Sequence, residues 1–197
     1  MQRFHAGRPR DFGRRRRIGG FSLIEVMVTV VVLAIAMSIA IPSYTYLINT
    51  SRLTSASNEM VASLQLARSE AIRLNRNIAV CRSDNGTTCA TGSAWNQWIT
   101  IVVTGSNVLR VSTVKAPVQM SVSAAVSGNN DRIVFSPDGF ARSSTGILLN
   151  AGFSSCIATT RPNDNVRVVY VVGGSRIGSA TTPGDATCPA PSDSPPP

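Results

Sequence analysis

An apolar run from Phe21 to Ile41 limits the possible structures of this chain more than any other feature of its sequence. The run contains 21 residues, and Glu25 is its single ionisable side chain. About 20 consecutive apolar residues are needed for a helix to cross a bilayer. Four arginines, Arg14 to Arg17, come shortly before the run, and a basic block of this kind stays in the cytoplasm. The sequence therefore predicts one membrane-spanning helix, with the C-terminal bulk of the chain outside the cytoplasm.

The formal net charge of +9 is concentrated in the first tenth of the chain. Residues 1–20 carry seven arginines and one aspartate, a net of +6, which leaves +3 for residues 21–197. A strongly basic surface is the usual electrostatic sign of nucleic-acid binding. Because two thirds of the net positive charge precedes the apolar run, the whole-chain charge gives little support to that function.

Two ordinary export signals fit a basic stretch followed by an apolar run. A cleaved secretory signal would use the small-residue sites at residues 34–36 or 38–40. A twin-arginine signal would use Arg16 and Arg17. Both alternatives leave Glu25 unexplained, although a carboxylate costs about 2.5–3.5 kcal/mol at the centre of a bilayer and needs a partner.

A prepilin leader, cut on the cytoplasmic side after Gly20, accounts for this carboxylate. The cut creates an α-amino group on Phe21, four residues before Glu25. The amine and the carboxylate then lie within one helical turn, in the same subunit or between neighbouring subunits. We therefore favour a leader over residues 1–20 and a permanent helix over residues 21–41.

The sequence Gly20-Phe21-Ser22-Leu23-Ile24-Glu25 resembles the class III signal of type IV pilins and type II secretion pseudopilins. The resemblance implies that a prepilin peptidase cuts between Gly20 and Phe21 and methylates the new amino group of Phe21. It also implies that Glu25 helps to recruit the subunit into a growing filament. Pro42 lies where many pilins have a helix-bending proline.

The sequence stays compatible with a helix from Pro42 to about Asn77. Apolar residues recur at intervals of three and four, which is the period of an amphipathic helix. They are Leu53, Ala56, Met60, Leu64, Ala67, Ala71 and Leu74. We expect residues 42–77 to continue the first helix and to pack this stripe onto the domain that follows.

The pattern changes to strands after Ile78, since runs rich in Val, Ile and Thr alternate with turn residues. The predicted strands are Ile78–Arg82, Gln97–Val103, Val108–Val114, Val118–Ser123, Arg132–Phe135, Ser155–Thr160 and Val166–Val172. The predicted fold is α+β and pilin-like, with one long N-terminal helix, half transmembrane and half amphipathic, packed on an antiparallel β domain over residues 78–189. Residues 190–197 are predicted to form a disordered or extended tail.

Four cysteines follow the apolar run, on the side that the charge rule places in an oxidising periplasm. They are Cys81, Cys89, Cys156 and Cys188. Four cysteines allow three connectivities, and we favour Cys81–Cys89 together with Cys156–Cys188. A zinc site is the weaker alternative, because the sequence has no C-x-x-C pair and its one histidine, His5, lies in the leader.

The sequence gives no indication of catalysis. Acidic residues are scattered, the serines lack a neighbouring base, and the glycine pairs have no phosphate-binding context. We therefore expect neither a catalytic site nor a metal or cofactor. The protein is expected to be the substrate of an enzyme, the prepilin peptidase, rather than an enzyme itself.

The chain as a whole resembles the FimT/GspH group of minor pilins and pseudopilins. The resemblance is carried by the pilin-type helix, by Arg68-Ser69-Glu70-Ala71-Ile72-Arg73, and by Cys81, Cys89, Trp95 and Trp98. It implies a minor type IV pilin that acts in pilus assembly, or else an H-type minor pseudopilin of type II secretion. Its implied partners are the prepilin peptidase, other minor and major pilins or pseudopilins, and the lipid of the inner membrane. The implied location is a single-pass inner-membrane protein with a periplasmic C-terminal domain, exposed at the surface when part of a pilus.

Some minor pilins of the FimT branch bind DNA through a C-terminal Gly-Arg-x-Arg motif. In this chain the nearest match is Gly174-Ser175-Arg176-Ile177-Gly178, where only Arg176 is retained. Arg161, Arg167 and Arg142 are its candidate neighbours. Residues 78–197 have a net charge of only +2, so we favour a solvated strand face over a DNA-binding patch, with DNA kept as a candidate partner.

Overall fold

Helix α1 (Leu23–Leu74, 52 residues) is the dominant element of the computed structural model, which describes residues 20–184 and 186–195. Residues 1–19, which belong to the predicted leader, Asp185 and the last two prolines lie outside the described residues. The sequence predicts a helix over residues 21–77. The prediction is confirmed except at the ends, since α1 begins two residues later and ends three residues earlier. The chain divides into two compact units between Ile41 and Pro42, and the helical assignment runs through this point.

The C-terminal end of α1 is fixed by a left-handed residue. Asn75 has a φ of +52°, a conformation that asparagine tolerates better than most residues. Its N–H donates to the carbonyl of Ile72, and the N–H of Arg76 donates to the carbonyl of Ala71. These two bonds form a Schellman motif, which satisfies carbonyls that the helix end would otherwise leave free.

Two antiparallel sheets form the β part of the second unit. In chain order its elements are β1 (Ile78–Arg82), β2 (Gln97–Val102), β3 (Val108–Thr113), β4 (Gln119–Val122), α2 (Ala124–Ser127), β5 (Arg132–Phe135), β6 (Ala141–Arg142), β7 (Ala151–Cys156), β8 (Val166–Val172) and β9 (Arg176–Thr182). Sheet A has the strand order β3-β2-β1-β5-β6, and sheet B has the order β4-β7-β8-β9. The predicted α+β class with antiparallel pairing is confirmed.

One core joins the helix to both sheets. The predicted stripe is fully or almost fully buried from Leu53 to Ala71, and Leu74 is half-buried at its end. It shares a hydrophobic cluster with the inner faces of the two sheets. The largest strand side chains in this cluster are Trp98, Phe135 and Phe153. The amphipathic period of the helix therefore identified its packing face correctly.

Strand β7 is the main correction to the sequence-based strands, because the sequence predicts Ser155–Thr160 and the strand is Ala151–Cys156. Its Gly and Ser residues have low strand propensity, yet all six residues are buried. The C-terminal segment lies over its outer face: Ser154 Oγ donates to the carbonyl of Pro189, and a Cβ on Gly152 would collide with Pro191 and Ser192. The elements β6, β9 and α2 were not predicted.

The predicted tail, residues 190–197, contains no helix or strand over its described residues 190–195. It is nevertheless attached at two places. Cys188, just before it, is bonded to Cys156 in β7, and Asp193 Oδ1 accepts a hydrogen bond of 2.9 Å from the N–H of Ala125. The segment is extended along sheet B and covers the face that β7 turns away from the core.

Candidate functional site

The junction between Gly20 and Phe21 lies just outside the first helical turn. Open space surrounds Gly20, and Phe21 is 82% exposed. The first hydrogen bond of the helix is donated by the N–H of Val26 to the carbonyl of Ser22 at 3.1 Å. The junction therefore lies outside the regular hydrogen bonding of the helix.

Glu25 lies in the first turn of α1. The first turn of a helix carries unpaired N–H groups and a partial positive charge, which favours a carboxylate there. Exposed apolar side chains follow Glu25 along the helix on all sides, with Val26, Leu33 and Met37 each at least half exposed. By its length and composition alone, this part of α1 could cross a membrane.

A polar network fastens the amphipathic part of α1 to sheet A. The guanidinium of Arg110 contacts the carboxylate of Glu59 at 2.8 Å, and Ser112 Oγ donates to the same carboxylate at 2.6 Å. One turn further along the helix, Ser63 Oγ accepts a hydrogen bond of 2.9 Å from Trp98 Nε1. Burial pushes the pKa of Glu59 upwards, but the bonds from Ser112 and Arg110 and the charge of Arg110 outweigh burial and hold it below its usual value. The sequence analysis missed this pair, since Arg110 is 51 residues away from Glu59.

The four cysteines form two disulfides, Cys81–Cys89 and Cys156–Cys188, which is the connectivity favoured from the sequence. The first closes part of the loop between β1 and β2, which we call the disulfide loop (residues 83–96).

Contacts across the disulfide loop hold it in place. The Arg82 side chain donates to the carbonyls of Ala94 and Thr91 and pairs with Asp84 at 2.6 Å. The carboxylate of Asp131, the residue just before β5, accepts a hydrogen bond of 2.9 Å from the N–H of Gly92. The loop is therefore attached at several points besides its disulfide.

The four arginines considered for DNA binding do not form one group. Arg176 stands opposite Val172 next to the turn between β8 and β9, and Arg167 stands opposite Thr181 at the other end of the same hairpin. Arg176 and Arg167 are therefore five residue steps apart along the hairpin, a distance of about 17 Å.

The remaining two arginines, Arg161 and Arg142, do not complete a group with Arg176. Arg161 lies in the loop before β8, where its carbonyl accepts a hydrogen bond from Asn49 of α1. Arg142 lies nearer to Arg176, because the N–H of Ala141 donates to the carbonyl of Gly174, but its guanidinium is paired with Asp138 at 2.7 Å. Within the described part of the chain, no set of three or more His, Cys, Asp or Glu side chains is arranged to bind a metal ion.

Comparison with known families identifies the family to which the chain belongs. The family model described as Type II transport protein GspH matches residues 56–185, about two thirds of the sequence. The chain belongs to the GspH family. A second model, the prokaryotic N-terminal methylation motif, matches residues 15–41 and so includes Gly20, Phe21 and Glu25. This motif implies processing by a prepilin peptidase and assembly with other pilins or pseudopilins.

Solved structures show the same fold as this member of the GspH family. The type IV minor pilin FimU of Pseudomonas aeruginosa matches in two crystal forms at 21% identity, with TM-scores of 0.51 and 0.48; the matches cover 71% and 70% of this chain and 94% and 97% of those chains. The minor pseudopilin EpsH from the type 2 secretion system of Vibrio cholerae matches at 12% identity with a TM-score of 0.46, covering 66% of this chain and 97% of that one. No curated protein sequence matches the chain. The chain is thus a member of the GspH family with a pilin-like fold, as the resemblance implied.

Proposed function

We propose that this protein is a minor type IV pilin, made as a prepilin, cut between Gly20 and Phe21 and added to a pilus through the first part of α1. One observation carries the proposal. The non-helical Gly20–Phe21 junction precedes the apolar first part of α1, residues 23–41, whose single carboxylate, Glu25, lies in the first turn of the helix. The protein is then a substrate of the prepilin peptidase and a structural subunit, not an enzyme.

The chemistry of assembly follows from the charges at the new N-terminus. Cleavage leaves a positive amine on Phe21, and N-methylation keeps that charge. A carboxylate in an apolar environment is unfavourable unless it is paired, and the amine of the same or a neighbouring subunit supplies the partner. The pair favours the arrangement in which helix ends of adjacent subunits meet, so Glu25 acts in assembly.

The exposed apolar surface of residues 21–37 supports the same function. A contiguous apolar surface of this size is not stable in water and requires lipid or other helices around it. We propose that the inner membrane surrounds this helix before assembly and that neighbouring pilin helices surround it in the filament. The second unit is then periplasmic, where its two disulfides form.

Mass analysis of protein purified from its own cell envelope tests the processing step. We expect chains that begin with N-methylated Phe21. The variant Glu25→Ala should be cut normally but be recovered poorly in sheared filaments, because it lacks the partner for the amine. Glu70→Ala, which removes a carboxylate from the same helix outside its apolar part, is the matched control and should assemble normally. Native chains that retain Met1, or that begin after residue 36, would refute the proposal.

Secretion is the second candidate function, because the family description is that of a type II transport protein. The alternative protein is an H-type minor pseudopilin, processed in the same way but serving protein export. Deletion of the gene separates the two functions. Loss of pili or twitching with normal export supports the pilus, and loss of export with normal twitching supports secretion.

DNA uptake is the third candidate, and the separation of Arg176 from Arg167 and Arg161 does not favour it. A gel-shift titration of the chain in detergent tests it directly. Salt-sensitive binding that is weakened by Arg176→Ala supports DNA uptake, and absent or salt-insensitive binding removes it.

A further inference from the structure

A groove of about 370 Å³ lies on the outer face of sheet A, next to its edge strand β6. Two arginines, Arg132 and Arg142, line it together with the amides of Asn77 and Asn129 and the side chain of Val134. Its size is at the lower end of the range for small-molecule sites, which is suitable for one side chain or a small ligand.

The alternation of β5 places Arg132 in this groove. Ile133 and Phe135 are completely buried in the main core, so Arg132 and Val134 point to the opposite face of the sheet. Arg142 stands directly opposite Val134 in the neighbouring strand and shares that face. The two arginines therefore lie on one surface, on either side of an apolar residue.

The side chain of Arg132 lacks a hydrogen-bond or ion-pair partner within residues 20–184 and 186–195. Its Nε is buried, and no acceptor lies within hydrogen-bond distance. The four ion pairs formed among the same residues use other arginines, namely Arg73, Arg82, Arg110 and Arg142. A buried donor without an acceptor is unfavourable, and nearly all such donors in folded proteins are satisfied. Arg132 thus lines the groove with its Nε unpaired among the described residues.

Arg142 differs from Arg132 in this respect. Its guanidinium donates to Asp138 Oδ2 at 2.7 Å and to the carbonyl of Gly146 at 3.1 Å. No acidic side chain lines the groove among the described residues. The groove therefore contains one uncompensated positive charge, together with neutral polar groups and the apolar side chains of Val103 and Val134.

The geometry points to a carboxylate-binding site in which Arg132 holds an acidic side chain of a protein partner. A guanidinium binds a carboxylate through two parallel hydrogen bonds, and the apolar side chains accommodate the methylene groups next to that carboxylate. A single free charge matches a monoanion. A nucleic-acid backbone requires a row of cations. Arg142 does not add a second free cation to Arg132, because its charge is already paired with Asp138. The site goes beyond the proposed function, since neither pilus assembly through Glu25 nor peptidase processing uses Arg132.

An NMR titration of the isotope-labelled full chain in detergent micelles tests the site. The probe is the peptide acetyl-Gly-Glu-Gly-amide, and acetyl-Gly-Gln-Gly-amide is its neutral control. We expect saturable shifts of the Arg132 Nε–H and Asn129 amide signals with the acidic peptide alone. Arg132→Gln should weaken binding about tenfold or more, because a charge-assisted bond is lost. Arg52→Gln removes the same charge from an exposed position on α1 and should leave the affinity within about twofold.

A gain of affinity gives an independent test in case Arg132→Gln disturbs folding. Asp138→Asn removes the partner of Arg142 and adds a second free cation to the groove, so it should tighten binding of the acidic peptide several-fold. The site is refuted if the acidic peptide causes no saturable shift or if the glutamine peptide binds equally well. Tighter binding of inorganic phosphate or a DNA oligonucleotide than of the acidic peptide would also overturn the carboxylate assignment.

Discussion

The two disulfides close chain segments of very different length, which gives a quantitative prediction. Cys81 and Cys89 are 8 residues apart, and Cys156 and Cys188 are 32 residues apart. We consider the paired variants in which either both cysteines of the first bond or both of the second become alanine. The two variants are matched, because each removes one almost completely buried sulfur and one more accessible sulfur.

The expected loss of stability follows from the entropy of the unfolded chain. A disulfide restricts the unfolded ensemble more strongly when the loop that it closes is longer. The standard loop-entropy relation gives about 2.5 kcal/mol for the short loop and about 3.7 kcal/mol for the long one. The second variant should therefore be less stable than the first by about 1.2 kcal/mol. In a domain of this size that difference corresponds to about 2–5 °C in melting temperature.

Urea denaturation of the full chain in detergent micelles, followed by tryptophan fluorescence, measures these losses. Trp95 and Trp98 are the two tryptophans of the sequence, and both are completely buried in the second unit. The signal therefore reports unfolding of that unit and not of the apolar helix. Equal losses, or a larger loss for the Cys81–Cys89 variant, would show that native-state contacts rather than loop entropy determine the contribution of each bond.

Three further substitutions test individual contacts. Glu59→Gln should destabilise the chain at pH 7 by less than about 1 kcal/mol, since the pair with Arg110 is partly solvated. Because folding lowers the pKa of Glu59, the stabilisation by its carboxylate is lost as pH falls below the usual glutamate range. The difference in unfolding free energy between the original chain and the variant, measured in urea, should therefore become smaller towards pH 3. Gly152→Ala should destabilise the full chain but cost clearly less in a chain that ends at Pro189, and an equal cost in both would contradict the packing of the C-terminal segment on β7. Asn75→Gly should preserve thermal stability while Asn75→Ala lowers it by about 1 kcal/mol, because alanine disfavours a positive φ; identical melting temperatures would refute the capping role.

The sequence predicts best the elements whose pattern is local. The helical stripe and strands β1, β5 and β8 were predicted with correct faces or bounds, because periodicity and β-branched residues carry that information within a few residues. Strand β9 was missed because its sequence, Arg176 to Thr182, is mostly small and polar, which suits an edge strand but gives a weak signal. Strand β7 was misplaced because its burial depends on Pro191 and Ser192, which lie about 40 residues further along the chain.

The same distinction applies to the candidate sites. The Gly20–Phe21 junction and Glu25 form a contiguous motif, so the sequence was sufficient to propose them. The alternation of β5 could have placed Arg132 on the outer face, but not its lack of a partner. Arg132 lacks a partner because the carboxylate of Asp138 is paired with Arg142 and the other acidic side chains lie elsewhere. Both facts are consequences of tertiary structure.

The position of the groove beside the Cys81–Cys89 bond leads to a prediction that separates stability from binding. Cys81 stands directly opposite Arg132 in register, and the neighbouring Asp131 holds the disulfide loop through Gly92. Side chains directly opposite each other on one face of a sheet are about 5 Å apart, so the bond forms part of the surroundings of Arg132. Removing it should weaken binding of the acidic peptide several-fold, whereas removing Cys156–Cys188, in the other sheet, should cost more stability but leave the affinity almost unchanged. If the affinities of the two variants fall together in proportion to their stability, the groove has no specific dependence on the disulfide loop, and the structural connection argued here is wrong.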